Sequence, residues 1–309
     1  MSTYRPDDEH SLLEIRKTII TAVASDDELL EIFVLKGGNA LDIVYQLGQR
    51  SSLDVDFSMA GDFADASEQK RVQDRLFSAL RDRFDAKGFV VFDEKFEPRP
   101  LRSGGPGVVW GGYNALFKLI RRSRFVELGG VVGNQPSGNV LDAMRREASV
   151  TGPASHRVFT IEISKFEHTL GKRLAEVDGF DCYVYTPAMI AAEKLRALCQ
   201  QLPEYPFRAH RAPRARDFFD IFTVSTQAGC DISARENLEL VRAMFAAKQV
   251  DLNLLIQLSA DSQREFHREA WPAVQNTVRG GTPHDFDFYF DFVGSEVRKL
   301  MQALDIKDS

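Results

Sequence analysis

The hydrophobic pattern changes character near residue 186 of this 309-residue chain. Before that point, short apolar or alternating runs indicate β-strands, and longer stretches with an apolar residue every three or four positions indicate intervening helices. After it, nearly every segment has the helical period. The pattern predicts an α+β fold, with a mixed sheet flanked by helices over 1–186 and a C-terminal helical bundle domain over 187–309.

The predicted elements have the following bounds in the chain. Strands are predicted at 32–35, 53–57, 113–120, 158–166 and 183–185, with a further strand that begins at 89–92. Helices are predicted at 10–24, after residue 39, and at 67–85, 188–200, 218–228, 235–247, 252–268 and 290–304. The stretch 98–112, rich in Gly and Pro, is predicted to be a loop, and 121–156 to be an insertion.

A glycine pair, Gly37 and Gly38, directly follows the first predicted strand. Two glycines let the backbone turn tightly and approach a ligand closely. Asn39 is then predicted to cap the next helix. A helix start with bare amide groups and little side-chain bulk favours phosphate binding, so this turn is a candidate phosphate site.

The second predicted strand carries two carboxylates, Asp54 and Asp56, which leave the same face because they are two positions apart. Two neighbouring carboxylates are unfavourable without a cation between them. Oxygen ligands of this kind suit a hard ion such as Mg²⁺. The sequence therefore predicts a metal-binding strand shortly after a phosphate-binding turn.

This order resembles the nucleotidyltransferases of the DNA polymerase β superfamily, in which a glycine pair precedes Asp-x-Asp. The closer resemblance is to the AbiEii/AbiGii toxin family, whose pattern is Leu-Lys-Gly-Gly-x-Ala-Leu followed by Arg-x-Ser-x-Asp-x-Asp-Phe. The chain matches that pattern at Lys36, Gly37, Gly38, Ala40, Leu41, Arg50, Ser52, Asp54, Asp56 and Phe57. The resemblance implies a nucleotidyltransferase fold, two Mg²⁺ ions, and nucleotide contacts from Lys36, Gly37, Gly38 and Ser52.

A third carboxylate, Glu162, lies in the middle of the alternating strand predicted at 158–166. One interpretation is a solvated or edge position of that strand. The toxin family, however, often has Asp-Ile-Ser or Glu-Ile-Ser here, and this chain has Glu162-Ile163-Ser164. The resemblance implies that Glu162 joins Asp54 and Asp56 as a metal ligand and acts as a base toward the attacking hydroxyl.

A second motif region begins the helical part, where the chain resembles the family patterns Glu-Lys-Leu-x-Ala-Leu and Arg-Asp-x-x-Asp. Taken alone, Asp217 is a helix cap and Lys194 its partner in a surface ion pair. The resemblance instead implies that both are needed for activity. A lysine is a compact charge suited to a triphosphate, so Lys194 would neutralise the nucleotide while Asp217 orients the lysine.

Four arginines lie close together between these motifs: Arg208, Arg211, Arg214 and Arg216. A solvated charge run explains most such clusters. The alternative is a contact with nucleic-acid phosphates or with the incoming triphosphate. Both interpretations stay open at this stage.

The composition of the chain indicates where the protein works more than which reaction it catalyses. A net charge of −6 argues against sequence-independent coating of nucleic acid, though not against a local basic groove. The three cysteines have no metal-binding spacing, which favours a reducing, cytoplasmic location. The first ten residues are polar rather than signal-like, and no run approaches the roughly 20 apolar residues of a membrane helix.

We therefore expect an enzyme that moves a nucleoside monophosphate from a nucleoside triphosphate to an acceptor hydroxyl. The resemblance suggests the 3′ end of tRNA as acceptor and a cognate antitoxin as partner. One alternative is a transferase of the same fold that modifies a protein or a small molecule. The other is a non-catalytic nucleotide-binding module, which the intact glycine pair and Asp-x-Asp disfavour.

Overall fold

The computed structural model describes residues 6–47, 54–100, 109–131, 136–151, 156–207, 210–278 and 281–307. The strands found in these ranges are β1 (Val34–Lys36), β2 (Val55–Ser58), β3 (Phe89–Arg99), β4 (Gly112–Arg121), β5 (Phe159–Ser164), β6 (Arg173–Val177) and β7 (Phe180–Val184).

Helices precede, separate and follow these strands along the sequence. The α-helices are α1 (Pro6–Ala24), α2 (Asp27–Ile32), α3 (Gly37–Asn39), α4 (Ala66–Ala86), α5 (Arg122–Glu127), α6 (Gly138–Glu147), α7 (Pro187–Cys199), α8 (Ala215–Gln227), α9 (Arg235–Ala246), α10 (Asp261–Arg268), α11 (Trp271–Gln275) and α12 (Phe286–Ala303). A π-helical turn covers Ala40–Val44, and a 3-10 helix covers Leu252–Ser259.

All seven strands belong to one sheet, in the order β3-β4-β5-β2-β1-β7-β6. Strand β2 runs parallel to β5, whereas β4 is antiparallel to both β3 and β5. The sheet is therefore mixed, and helices follow it through the C-terminal part of the chain. This confirms the α+β class predicted from the sequence.

The chain divides into two compact units. The sheet unit contains the described residues of Met1–Leu35, Ser52–Lys165 and Leu174–Tyr183. The helical unit contains those of Lys36–Ser51, Phe166–Arg173 and Val184–Ser309. The sequence-based division into domains 1–186 and 187–309 stays a prediction.

The sheet unit has one apolar and one polar face where its central strands meet. On β5 the residues Phe159, Ile161 and Ile163 are buried, and the intervening positions are half-buried. The ring of Phe117 stacks on Phe159 at 5.6 Å, and Phe84 of α4 packs on Phe117 at 5.8 Å. The apolar face thus forms the core, which leaves the opposite face of β5 for polar side chains.

The helical unit is built around α7, which is buried on nearly every side. Its start follows the sequence prediction, since Pro187 occupies the first turn and the Thr186 side chain accepts a hydrogen bond from the Met189 N–H. Aromatic side chains join the later helices, with the Phe218 ring stacked on Phe290 at 5.4 Å and edge-on to Phe286 at 5.2 Å. These contacts fix α8, the helix that carries Asp217, against α12.

Several elements differ from the sequence prediction for identifiable reasons. Strand β6 was not predicted, because a short edge strand with mostly exposed residues shows no alternation of apolar and polar positions. Strand β3 continues through Pro98 into the predicted loop, which a sheet tolerates because β3 is an edge strand. The insertion folds as α5 and α6, which close a small apolar cluster of Phe92, Ile120, Phe125, Met144 and Ala148.

Within the described parts of the chain, no helix is both long enough and apolar enough to span a lipid bilayer.

Strand β4 starts at a glycine that the sheet requires. A Cβ atom added to Gly112 would lie 1.8 Å from the carbonyl oxygen of Ile163. We predict that Gly112→Ala lowers the free energy of unfolding by about 1–3 kcal/mol, because the backbone of β4 or β5 must move. Urea denaturation measures the change. Gly61→Ala, where a Cβ meets no atom within 4 Å, is the matched control, and equal effects of the two variants would contradict the prediction.

Candidate functional site

The glycine turn after β1 differs in detail from its predicted form. Gly37 has a left-handed φ of +68° and begins α3 directly after Lys36, whose side chain makes no capping hydrogen bond. Asn39 is fully buried inside the helix, so the prediction that it caps this helix is wrong. The Asn39 side chain makes no capping hydrogen bond to the turn that follows it. The helix then continues as the π-helical turn Ala40–Val44.

The side chain of Lys36 lies between two carboxylates of the helical unit. Its Nζ is 3.5 Å from Glu193 Oε1 and 3.7 Å from Glu167 Oε1, and the residue is buried. Lys36 was predicted to contact the nucleotide. In the structure its ammonium group neutralises these carboxylates, which ties the glycine turn to α7 through Glu193.

Glu167 is the centre of this buried charge cluster. Besides Lys36, its carboxylate contacts Arg196 Nη2 at 2.9 Å and Lys248 Nζ at 3.3 Å. Burial alone would raise the pKa of Glu167, but Arg196, Lys36 and Lys248 together hold it below its usual range. For Glu193, burial is likewise outweighed by Lys36, Lys194 and Arg196, which lower the pKa to about 2. Both carboxylates are therefore ionised at neutral pH.

Lys248 responds in the opposite direction to the same burial. Desolvation lowers its pKa to about 8, and the neighbouring Glu167 recovers only part of that loss. The sequence did not predict a role for Lys248, because it is a single lysine at the end of an amphipathic helix. Its role depends on the fold bringing it against Glu167.

The predicted pair of Lys194 and Asp217 exists and is buried. Lys194 Nζ is 3.1 Å from Asp217 Oδ1 and 3.5 Å from Asp220 Oδ2. Arg214 also pairs with Asp217, and α8 begins without a side-chain cap. The alternative of a helix cap and a surface ion pair does not fit, because Asp217 is 1% exposed. Burial would lower the pKa of Lys194, but Asp217, Asp220 and Glu193 raise it, so the lysine is charged.

One histidine supports this pair and was missed from the sequence. His267 Nδ1 accepts a hydrogen bond of 2.9 Å from the backbone N–H of Arg214. Burial lowers the pKa of His267 to about 4, so the ring is neutral and able to accept at physiological pH. The histidines are scattered in the sequence, so only the packing of α10 against the start of α8 identifies this one.

Two arginines of the predicted basic cluster are engaged within the helical unit. The guanidinium of Arg211 lies over the Phe266 ring at 4.5 Å, and Arg214 pairs with Asp217. Arg216 is exposed on α8, and Arg208 lies outside the described residues. Contact of this segment with nucleic acid stays a prediction.

The parallel pairing of β2 with β5 brings two of the predicted carboxylates together in the sheet unit. Asp56 is the register partner of Glu162, and both are half-buried on the polar face. Strand β2 starts at Val55, so Asp54 lies just before the strand and is exposed. The strand predicted at 53–57 therefore begins two residues later than expected, at Val55, and of the two aspartates only Asp56 lies on it. Arg50 and Ser52 lie outside the described residues.

The donor chemistry of this face fits a divalent cation. Its carboxylate oxygens are hard ligands of the type that Mg²⁺ prefers. Among the described residues, no three His, Cys, Asp or Glu side chains are already gathered as a metal site. Glu162 pairs with the guanidinium of Arg99, which reaches it from β3. A positive charge therefore stands beside Glu162 in this structure.

Arg99 reaches Glu162 across strand β4 at a position without a side chain. The residue of β4 opposite Arg99 is Gly112, which pairs on its other side with Ser164 of β5. The sequence could not indicate this contact, because Arg99 lies in the stretch predicted as a loop. The contact between Arg99 and Glu162 follows only from the register of β3, β4 and β5.

The model of a protein family described as "Nucleotidyl transferase AbiEii toxin, Type IV TA system" matches residues 18–292. No curated protein sequence gives a match. Among solved structures, the chain is similar to an antigenic nucleotidyltransferase-like protein from Paracoccidioides brasiliensis, at 14% identity over 86% of this chain and 95% of that one, with a TM-score of 0.35.

The pairing of Arg99 with Glu162 predicts a competition with divalent cations. An exposed ion pair is worth up to about 1 kcal/mol, so Arg99→Ala should tighten Mn²⁺ binding by roughly two- to fivefold. Electron paramagnetic resonance of free Mn²⁺ gives the affinity without any nucleotide. The control is Arg81→Ala, which breaks a comparable pair with Glu94 at 2.8 Å. Unchanged or weaker binding in Arg99→Ala would show that the guanidinium does not compete.

The lowered pKa of Lys248 predicts a pH dependence of stability. Between pH 8 and 10.5 the unfolded chain holds the proton and the folded chain releases it, so stability rises with pH by roughly 2–3 kcal/mol from this group. Lys248→Met should remove that rise, measured by denaturant unfolding at each pH. Lys299→Met is the control, because Lys299 is exposed and its pKa is raised by Glu296. The same pH profile in wild type and Lys248→Met would refute the assignment.

Proposed function

Because this chain belongs to the AbiEii family of nucleotidyltransferase toxins, we propose that it transfers a nucleoside monophosphate from a nucleoside triphosphate to the 3′-terminal hydroxyl of tRNA. Family membership confirms the enzyme class and the toxin assignment predicted from the motifs. It also implies a nucleotide substrate and an antitoxin partner, as in type IV toxin–antitoxin systems. The tRNA acceptor, the use of Mg²⁺ and the cytoplasmic setting are parts of the proposal.

The register of Asp56 with Glu162 carries the proposal. Two carboxylates from different strands converge on one face, and a third, Asp54, directly precedes β2. These three side chains would hold the divalent cations. When bound, two Mg²⁺ ions would supply positive charge for the triphosphate and acidify the attacking hydroxyl.

Glu162 would serve the acceptor side of the reaction. In the transfer, the acceptor hydroxyl oxygen forms a bond to the α-phosphorus, and the bond between that phosphorus and the pyrophosphate oxygen breaks. The hydroxyl proton passes to Glu162, and pyrophosphate leaves with the electron pair of the broken bond. This role is supported by the half-buried position of Glu162 next to Asp56. Release of Arg99 would free the carboxylate for it.

The helical unit would serve the triphosphate. Lys194 would neutralise its charge, because the lysine stays protonated while buried. Asp217 and Asp220 hold its ammonium group in one position, so little freedom is lost when it binds. Backbone amides at Gly37 and Gly38, with the Ser52 hydroxyl, would donate hydrogen bonds to phosphate oxygens. Lys36 would act indirectly, by fixing this turn through Glu193.

The proposal is tested by removing one metal-binding carboxylate. Purified protein is incubated with each α-³²P-labelled nucleoside triphosphate, Mg²⁺ and a mixture of bulk tRNA, protein and small acceptors. We expect label on the tRNA 3′ end, and a loss of at least about 100-fold in Asp56→Asn with the fold unchanged by circular dichroism. The control, Asp82→Asn, makes the same change on the exposed surface of α4 and should be fully active.

Each other result has a distinct meaning. Label in the protein or small-molecule fraction would replace tRNA as the acceptor and keep the chemistry. Absence of label in every fraction, or full activity of Asp56→Asn, would refute transfer at this site. Growth arrest on expression that Asp56→Asn relieves would connect the activity with toxicity.

A further inference from the structure

A row of polar side chains crosses the polar face of the sheet at the level of Glu162. Glu97 on β3 pairs in register with Asn114 on β4, which pairs with Glu162 on β5, which pairs with Asp56 on β2. Register partners in neighbouring strands point to the same face. Adjacent strands are about 4.8 Å apart, so Asn114 lies one strand from Glu162 and two from Asp56. This alignment could not be predicted from the sequence, because it depends on strand order.

The side-chain oxygen of Asn114 is buried and has no hydrogen-bond partner among the described residues. A buried acceptor without a donor is destabilising, and most buried polar atoms avoid that state. Its neighbours in the row cannot help, because Glu97 and Glu162 are carboxylates that only accept when ionised. The nearby donor, Arg99, is directed to Glu162. Among the described residues no donor fills this place, so the oxygen is available to a hydroxyl or amino group of a ligand.

The position of Asn114 identifies which part of the ligand supplies that donor. Asn114 lies on the far side of Glu162 from Asp56, and Glu162 is the group assigned to the attacking hydroxyl. A second hydroxyl on the neighbouring carbon of the acceptor would lie beside that group. Ribose has such a pair of hydroxyls at the 3′ end of RNA, and deoxyribose does not.

We propose that Asn114 accepts a hydrogen bond from the 2′-hydroxyl of the acceptor's terminal ribose, so that the enzyme selects RNA ends over DNA ends. This inference rests on the proposed function, since it assumes a nucleic-acid acceptor at Glu162. Asn114 is then a substrate-binding residue whose unpaired oxygen destabilises the free protein.

The experiment compares two acceptor probes that differ only in one atom. One is a tRNA transcript with an ordinary terminal nucleotide, and the other has a 2′-deoxy terminal nucleotide. We expect wild type to prefer the ordinary end by about three- to tenfold in kcat/KM, as one hydrogen bond allows. Asn114→Leu, of similar shape and without an acceptor, should lower use of the ordinary end to the deoxy level. The KM for the nucleoside triphosphate should not change.

Stability and metal binding separate this role from a structural one. Because Asn114→Leu removes an unpaired buried oxygen, its Tm should stay the same or rise by roughly 2 °C, whereas a structural asparagine would lose Tm. Mn²⁺ affinity should equal that of wild type. Asn237→Leu is the matched control, since Asn237 donates a hydrogen bond of 2.7 Å to the Asp231 carbonyl and its loss should lower Tm without altering acceptor preference.

The outcomes distinguish the inference from the function on which it rests. Equal use of both ends by wild type, a lower Tm of Asn114→Leu, or weaker Mn²⁺ binding in that variant would overturn the assignment of Asn114 alone. Absence of transfer to either probe by wild type would overturn the proposed tRNA acceptor. If Asn114→Leu does not fold, Asn114→Ala gives the same comparison, and Asn114→Asp, which keeps an acceptor oxygen, should retain part of the preference.

Discussion

The parallel pairing of β2 with β5 is the constraint on which the polar face of the sheet depends. A parallel pair needs a long crossover connection, and here the chain between the two strands supplies α4, β3, β4, α5 and α6. The apolar residues Val55, Phe57, Ile161 and Ile163 fix the register by facing the core together. A slip of one residue would bury Glu162 and expose these side chains. The same register is therefore needed both to pack the core and to place the carboxylate on the polar face.

The helical unit contains a second group of charged side chains, and these are buried. It buries lysines, arginines and carboxylates in one interior, where each unpaired charge would be costly. Glu167 meets three cations, and Lys194 meets two aspartates. Such a network holds its members in one arrangement, because the loss of any partner leaves another charge buried without compensation. A lysine fixed in this way keeps its charge and its position together.

The sequence predicted the chemistry of these sites better than their geometry. Alternation identified Glu162 as a polar position of a core strand, and the family resemblance connected Lys194 with Asp217. Strand order and register are tertiary properties, so the partners of Glu162 on β3 and β4 were not accessible. Burial also lay beyond the pattern, since an amphipathic helix gives no sign that Asp217 would be 1% exposed. The predicted cap at Asn39 failed because a left-handed glycine changed where the helix begins.

The edge strand β3 has a consequence for the behaviour of the protein at high concentration. An open sheet edge is a template on which a strand of another chain can add and start aggregation. Near the end of β3, Pro98 has no N–H to offer, and the flanking Glu97 and Arg99 place charge on the same border. The edge next to the polar row is therefore poorly suited to strand addition.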